Sequence, residues 1–347
     1  MSAGKLVLVT GASGYLGAHC VKTLLDKGYR VRGTVRSLNN AKKVEPVKLL
    51  DPTGESLSLV EADLNEKQGW PSAVAGCDYV LHVASPFPLV GTEETIKTAV
   101  AGTMNVLEAC AETESVQKLV LTSSVAAITE GYRHLAEPLT EEYWSKLDDA
   151  SAYTKSKTMA ERAAWDFVKQ EGHKNSFTMT VINPGFIIGP PITDDKGSSV
   201  DIITQLLALP AVPRVTMTLI DVRDVAEAHV AALSKPDSDN QRILCTNEHS
   251  YFMIDLAHVL REEFGDQGYS PANYQIPDWI VRFGSYFSGT LAGVVTRIGM
   301  KTKFDNSKLR NILGITPRDP LKSLVEMVYE LIERGHIKRT SKYRGKP

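Results

Sequence analysis

A tyrosine and a lysine four positions apart, Tyr153 and Lys157, stand in the run Asp149-Ala150-Ser151-Ala152-Tyr153-Thr154-Lys155-Ser156-Lys157. On a helix that spacing puts both side chains on one face, so the ammonium lies near the phenol and favours its ionised form. Tyr153 falls in the first turn, where the positive helix end favours a phenolate by about 0.3–1 kcal/mol. The expectation is a phenol shifted from its ordinary pKa of about 10 toward neutrality, fit to hand a proton to a carbonyl oxygen while hydride reaches the carbon. The preceding apolar run ends Thr122-Ser123-Ser124, and a hydroxyl there can donate to the same oxygen as charge develops on it. Lys157 has a second expected task, bridging the nicotinamide ribose hydroxyls to orient the ring.

Hydride chemistry needs a dinucleotide, and the chain has a loop suited to one: Thr10-Gly11-Ala12-Ser13-Gly14-Tyr15-Leu16-Gly17, between an apolar run and an amphipathic stretch. Gly11 permits the tight turn, Gly14 lets backbone approach a pyrophosphate, and Gly17 lets the helix pack on the sheet. Ser13, Tyr15 and Leu16 then sit where the helix start turns N–H groups toward an anion. An NAD enzyme places an acidic residue about twenty positions further on. Here that stretch reads Arg30-Val31-Arg32-Gly33-Thr34-Val35-Arg36, with Lys42 and Lys43 beyond. Arg36 and Lys43 are expected to hold a ribose 2′-phosphate, which favours NADP(H). Asp63 and Leu64 are placed to touch the adenine.

The elements that must carry these groups alternate. Short apolar runs near Lys5–Val9, Tyr29–Val35, Ser56–Glu61, Tyr79–Val83, Lys118–Thr122, Thr178–Ile182 and Arg242–Cys245 read as parallel strands. Tyr15–Lys27, Glu93–Cys110, Ala152–Gln170, Ala257–Phe264 and Leu321–Arg334 read as helices. The fold class is therefore α/β, a Rossmann doubly wound parallel sheet with a smaller, mixed C-terminal substrate lobe. Residues 1–185, completed by about 215–246, form the NADP-binding domain; 186–214 and 247–335 form the substrate lobe; 336–347 are a basic, solvated tail.

The totals exclude other classes. With 39 basic and 41 acidic residues nothing points to nucleic acid. Cys20, Cys77, Cys110 and Cys245 lack the spacing of a metal site or a disulfide framework. No signal peptide precedes the first strand pattern, so a cytoplasmic protein is expected. Phe283–Thr296 is shorter than the roughly 20 residues of a membrane helix and reads as part of a buried lobe or an apolar pocket wall. Phe87 with Pro88, and Ile187 with Leu206, are candidate substrate-pocket walls. His82 reads as a structural histidine rather than a catalyst.

These residues together resemble the extended short-chain dehydrogenase/reductases, in the branch of dihydroflavonol reductases, cinnamoyl-CoA reductases and fungal methylglyoxal or aldehyde reductases. The resemblance spans nearly the whole chain. It rests on Thr10–Gly17, Thr34-Val35-Arg36, Asp63-Leu64, His82-Val83-Ala84-Ser85-Pro86, Thr122-Ser123-Ser124, Tyr153–Lys157 with Ala160-Glu161-Arg162-Ala163-Ala164-Trp165, Asn183-Pro184-Gly185 and Asp221–Ala226. It implies catalytic roles for Ser124, Tyr153 and Lys157, with Ser123 the alternative to Ser124. It also implies that Val83, Ala84 and Ser85 line the cofactor and that Pro184, Ile187 and Ser199 lie on its nicotinamide side. Where dihydroflavonol reductases carry an Asn that bonds a flavonoid ring, this chain has Thr129, and the expected substrate is a small-to-medium apolar aldehyde or ketone. Two rivals share these features, a nucleotide-sugar epimerase or dehydratase and a non-catalytic NADP(H)-sensing protein. Val125-Ala126 after Ser124, in place of an acidic pair, argues against a dehydratase. The expected oligomeric state stays open between monomer and homodimer.

Overall fold

The computed structural model describes the chain apart from residues 1–3, 86–91, 171–176, 196, 288–294 and 296 and the side chain of residue 198. Phe87 and Pro88 lie outside the described residues. The main sheet contains β1 (Leu6–Val9), β2 (Arg30–Val35), β3 (Leu57–Glu61), β4 (Tyr79–His82), β5 (Lys118–Thr122), β6 (Thr178–Pro184) and, after three strands of the second lobe, β10 (Arg242–Cys245). All its pairings are parallel, in the order β10-β6-β5-β4-β1-β2-β3.

The strand sequences dictate this arrangement. Alternate residues of Leu6-Val7-Leu8-Val9 face opposite sides of the sheet, and both sides are covered, so the run is apolar throughout. Val7 and Val9 pack with α1 (Tyr15–Asp26), while Leu8 packs against the opposite layer. That layer includes α3 (Trp70–Val74), α4 (Glu93–Ala111) and α6 (Ala152–Gln170), and α2 (Ala41–Lys48) follows β2. Thr92 and Thr95 cap α4 reciprocally through side chains and backbone. A short α5 (Ala126–Thr129) follows β5 directly. The order of strands reverses between β1 and β4, which opens a crevice at their C-terminal ends where ligands of such sheets bind.

The second lobe is built on β7 (Phe186–Ile188), β8 (Ala211–Pro213), β9 (Thr216–Asp221), β11 (Ser250–Phe252) and β12 (Tyr274–Ile276). Its helices are α7 (Ser198–Ala208), α9 (Met253–Phe264), α10 (Asp278–Gly284) and α12 (Pro320–Glu333), while α8 (Val222–Ala232) packs with α1 on the main sheet and α11 (Ser307–Asn311) joins the same core through Leu309. Ile203, Leu206, Leu260, Phe264 and Met327 form the core of this lobe.

Two expectations need correction here. The apolar stretch Phe283–Thr296, read as a buried lobe or pocket wall, is open at its start, where Phe283, Tyr286 and Phe287 are 63–84% exposed, while Val295 packs against Val215, Val281 and Ile298. Its helix is short and buries chiefly Val281. The basic tail keeps Lys338, Arg339, Lys342, Arg344 and Lys346 exposed, as expected, but it is docked rather than frayed. Ile337 is buried, Arg339 pairs with Glu333, and the Tyr343 hydroxyl donates to Glu333 (2.8 Å), so the last residues pack along the acidic end of α12.

Candidate active site

The glycine loop is tied to the sheet before it meets any ligand. Gly11 has φ +68, and its N–H donates to Thr34 Oγ1 (3.0 Å), while Ala12 N–H donates to Thr34 O (3.0 Å). A Cβ on Gly17 would stand 2.1 Å from the Gly11 carbonyl oxygen, so only glycine lets α1 start this close to the turn. A Cβ on Gly11 would crowd Ala84 at 3.1 Å, which brings Val83, Ala84 and Ser85 at the end of β4 to the floor of the crevice. The residues thus fit a dinucleotide: a glycine cradle that a side chain would fill, at a helix start whose first N–H groups have no intrahelical acceptor.

That helix start already meets an anion from the protein itself. Tyr15 N–H donates to Asp195 Oδ2 (3.1 Å), and Lys43 forms a salt bridge with the same carboxylate. The Tyr15 hydroxyl donates to Gly189 O (2.6 Å) and His19 bonds Pro190 O (3.0 Å), so the segment carrying Asp195 is strapped onto α1. Ser199, in the first turn of α7, follows this strap. Arg36 is exposed just beyond β2 and makes no hydrogen bond or ion pair among the described residues. By contrast, Arg32 is spent on structure, donating to Ala73 O (2.8 Å) and Ala75 O (2.7 Å). Beyond β3, the Asp63 carboxylate accepts from Asn65, and Leu64 packs against Gly102 of α4.

Across the crevice, the Tyr153 hydroxyl donates to Ser124 Oγ (3.3 Å), which also accepts Ala126 N–H (3.1 Å). Ser123 faces elsewhere: its hydroxyl donates to Glu161 Oε2 (2.5 Å), in a buried cluster that Asn183 Nδ2 (2.8 Å) and Arg242 Nε (2.5 Å) complete. Asn183 reaches from the same amide to Ser124 O (3.3 Å), so the Glu161 cluster fixes the backbone from which Ser124 projects. Glu161 lies one turn beyond Lys157 on α6, a spacing that could have marked it. Lys157 is buried, and its ammonium forms no hydrogen bond or ion pair among the described residues. Pro184 ends β6, with its carbonyl accepting Val125 N–H (2.9 Å), and Ile187 sits in β7 opposite Ile220.

The titration expectation for the pair is overturned. Burial raises the Tyr153 phenol to about 12, against the smaller opposing influence of the Ser124 hydrogen bond and the Arg297 charge. Burial likewise lowers Lys157 to about 8, partly offset by Glu161. Helical spacing had suggested one ion stabilising the other, but both groups lose more by leaving water. His82 behaves as expected of a structural residue. Burial and the Lys157 charge hold it near 3, and its Nδ1 lies 2.9 Å from the Thr10 hydroxyl, which accepts Ala84 N–H.

The expected substrate positions fare unevenly. Leu206 is 1% exposed inside the second-lobe core. Thr129 is fully buried, and its hydroxyl accepts from Arg133 Nη2 (2.8 Å). Sequence reasoning missed Arg133, Arg297 and Asp195, whose placement depends on contacts between distant segments. Among the described residues no cluster of ligating side chains could hold a metal ion.

A glycine-cradled crevice at the strand-order reversal, with Ser124 just past β5 and Tyr153 and Lys157 on α6, defines the short-chain dehydrogenase/reductase class. The comparisons place the chain within it. Residues 7–245 match the NAD dependent epimerase/dehydratase family, and the chain belongs to that family, in its cinnamoyl-CoA and methylglyoxal reductase-like branch. It is 37% identical over 269 residues to cinnamoyl-CoA reductase CAD2 of Medicago truncatula, covering 75% of this chain and 81% of that one. It is 32% identical to a putative NADPH-dependent methylglyoxal reductase of Candida albicans, over 96% of this chain and all of the relative. The crystal structure of the Candida albicans Gre2 complex with NADPH superposes with a TM-score of 0.78 at 31% identity, covering 95% of this chain and 99% of the other.

Proposed function

We propose that the protein is an NADPH-dependent reductase of aldehydes or ketones, with Tyr153 as proton donor, Lys157 as its cationic neighbour and Ser124 as the second donor to the carbonyl oxygen. One observation carries the reading: the Tyr153 hydroxyl meets the Ser124 hydroxyl beside the glycine-lined crevice. The curated relatives with the same architecture are reductases, and one of them is described as NADPH-dependent.

Gly11, Ser13, Gly14, Tyr15, Leu16 and Gly17 would receive the pyrophosphate, Arg36 and Lys43 the 2′-phosphate, and Asp63 and Leu64 the adenine. Val83, Ala84, Ser85, Pro184, Ile187 and Ser199 would border the rest of the cofactor. When bound, reduced nicotinamide supplies the hydride. The remaining work belongs to the chain. Tyr153 with a pKa near 12 carries its proton at neutral pH, as an acid must before it gives that proton to a forming alkoxide. The Ser124 hydroxyl and the charge of Arg297 then act on the phenolate left behind, with Lys157 one helical turn along. Lys157, with no hydrogen-bond partner among the described residues, has its donors available for ribose hydroxyls.

The epimerase and dehydratase reading is weaker because Val125 and Ala126, not acidic side chains, follow Ser124. Oxidation of NADPH followed by absorbance across a panel of aldehydes, diketones and ketones tests the proposal. Steady turnover is expected; tight NADPH binding with no turnover of any carbonyl would instead mark a cofactor sensor.

A further inference from the structure

The sequence of α6 carries two parallel stripes beyond its catalytic turn. Glu161, Trp165 and Val168 follow one another at steps of four and three, and Arg162, Asp166 and Lys169 repeat those steps one residue on, so an apolar stripe runs beside a charged one. Both stripes border a cavity of about 870 Å³, open to solvent, between the later turns of α6 and the starts of β6 and β10. That volume suits a small molecule. None of its lining residues belongs to the Tyr153 crevice. Phe177, just before β6, and Trp144 extend its aromatic wall.

This wall is braced from behind. Arg242, its side chain 10% exposed, stacks its guanidinium 3.7 Å from the centre of the Trp144 ring. It donates to Glu161 Oε1 (2.5 Å) and to the carbonyls of Tyr143 (2.8 Å) and Glu141, while its Nη2 is buried with no hydrogen-bond partner. Trp165 Nε1 donates to the same Glu161 oxygen (3.3 Å), so one carboxylate helps to orient both indoles. Charge then selects the ligand. Glu161 matches Arg242, which leaves Arg162 and Lys169 against Asp166 on the lining, an excess of one positive charge. The Arg162 guanidinium lies 5.2 Å over the Trp144 ring, is exposed, and makes no hydrogen bond or ion pair among the described residues. Such a fork beside aromatic surface can take the paired oxygens of an anion whose ring rests on that surface. We propose that the cavity is a second, non-catalytic binding site for a planar aromatic molecule carrying a carboxylate or phosphate, with the ring along Trp165 and Val168 and the anionic oxygens on Arg162. The site stands whether or not the crevice turns over a carbonyl.

Calorimetric titration of the full chain loaded with NADP tests this with 2-naphthoate, 2-naphthyl phosphate and the neutral 2-naphthalenemethanol. At least one anion should bind saturably and about 10-fold or more tighter than the alcohol, the scale of a charge-assisted hydrogen bond. Which anion does so separates carboxylate from phosphate recognition. Arg162→Gln should abolish the preference, whereas Asp166→Asn should tighten the same anion by about 2- to 5-fold, because a repelling charge is removed. Opposite signs in the two variants distinguish a charged site from a damaged fold, and weakening in both would count against the site. No saturable binding, equal affinity for anions and alcohol, or binding that Arg162→Gln leaves unchanged would overturn the inference, the last by placing the ligand elsewhere. Sedimentation velocity covers the remaining occupant. Self-association abolished by Arg162→Gln, without saturable anion binding, would assign the cavity to a contact between copies of the chain and contradict the proposal.

Discussion

In the proposed mechanism Lys157 would control more of the chemistry than its spacing from Tyr153 conveys. Burial holds its ammonium near 8 while the Tyr153 phenol sits near 12. In the reductive direction the phenol must be protonated and the ammonium charged, and only the second condition fails within ordinary alkaline pH. Reduction at saturating NADPH should therefore be flat below about 8 and fall about tenfold per pH unit above it, if deprotonation of Lys157 removes the cation that the proposed mechanism needs. A stopped-flow pH profile measures this. A rate that rises through the same interval would mean that the phenolate, not the phenol, is the working form. The tyrosine and lysine were legible as a pair because helix periodicity alone puts them on one face. Their acidities were not, since desolvation depends on which distant segments close over them, Arg297 among these.

At the scale of elements, the strap between β7 and α7 matters most. It lays Asp195 across the start of α1 and onto Lys43, so a protein carboxylate stands where the sequence argument expects cofactor phosphates. Removing that charge while keeping its shape should ease phosphate entry. Asp195→Asn is expected to tighten NADPH by about 3- to 30-fold, the scale of one partly screened charge at a helix terminus, and NADH by less, since Lys43 is also freed. Fluorescence titration of both cofactors reads this directly. Weaker NADPH binding in the variant would show that Asp195 supports the bound state instead. The inner strands β1, β4, β5 and β6 were legible because their apolar runs must be buried on both faces. The strap was not, because its bonds to Tyr15, His19 and Lys43 join residues more than a hundred positions apart.

For the whole molecule, two layers of helices on a parallel sheet fix the crevice, and a second lobe with its own core brings the charge of Arg297 within reach of Tyr153. Alternating strand and helix patterns foretold the first part. The second lobe was blurred by short strands such as β7 and β11, whose three residues carry little period. Composition misled there too, because the aromatic residues of α10 suggested a pocket wall and instead face outward. No helix among the described residues is long and apolar enough to cross a membrane. The central claim, that this architecture exists to deliver a proton from one phenol, is tested most directly by Tyr153→Phe, measured for turnover and NADPH affinity on the same preparation. Turnover should fall by about 10²- to 10⁴-fold with NADPH affinity within about threefold of the parent, as expected for loss of a general acid that contributes little to ground-state binding. Near-parental turnover in that variant would contradict the account.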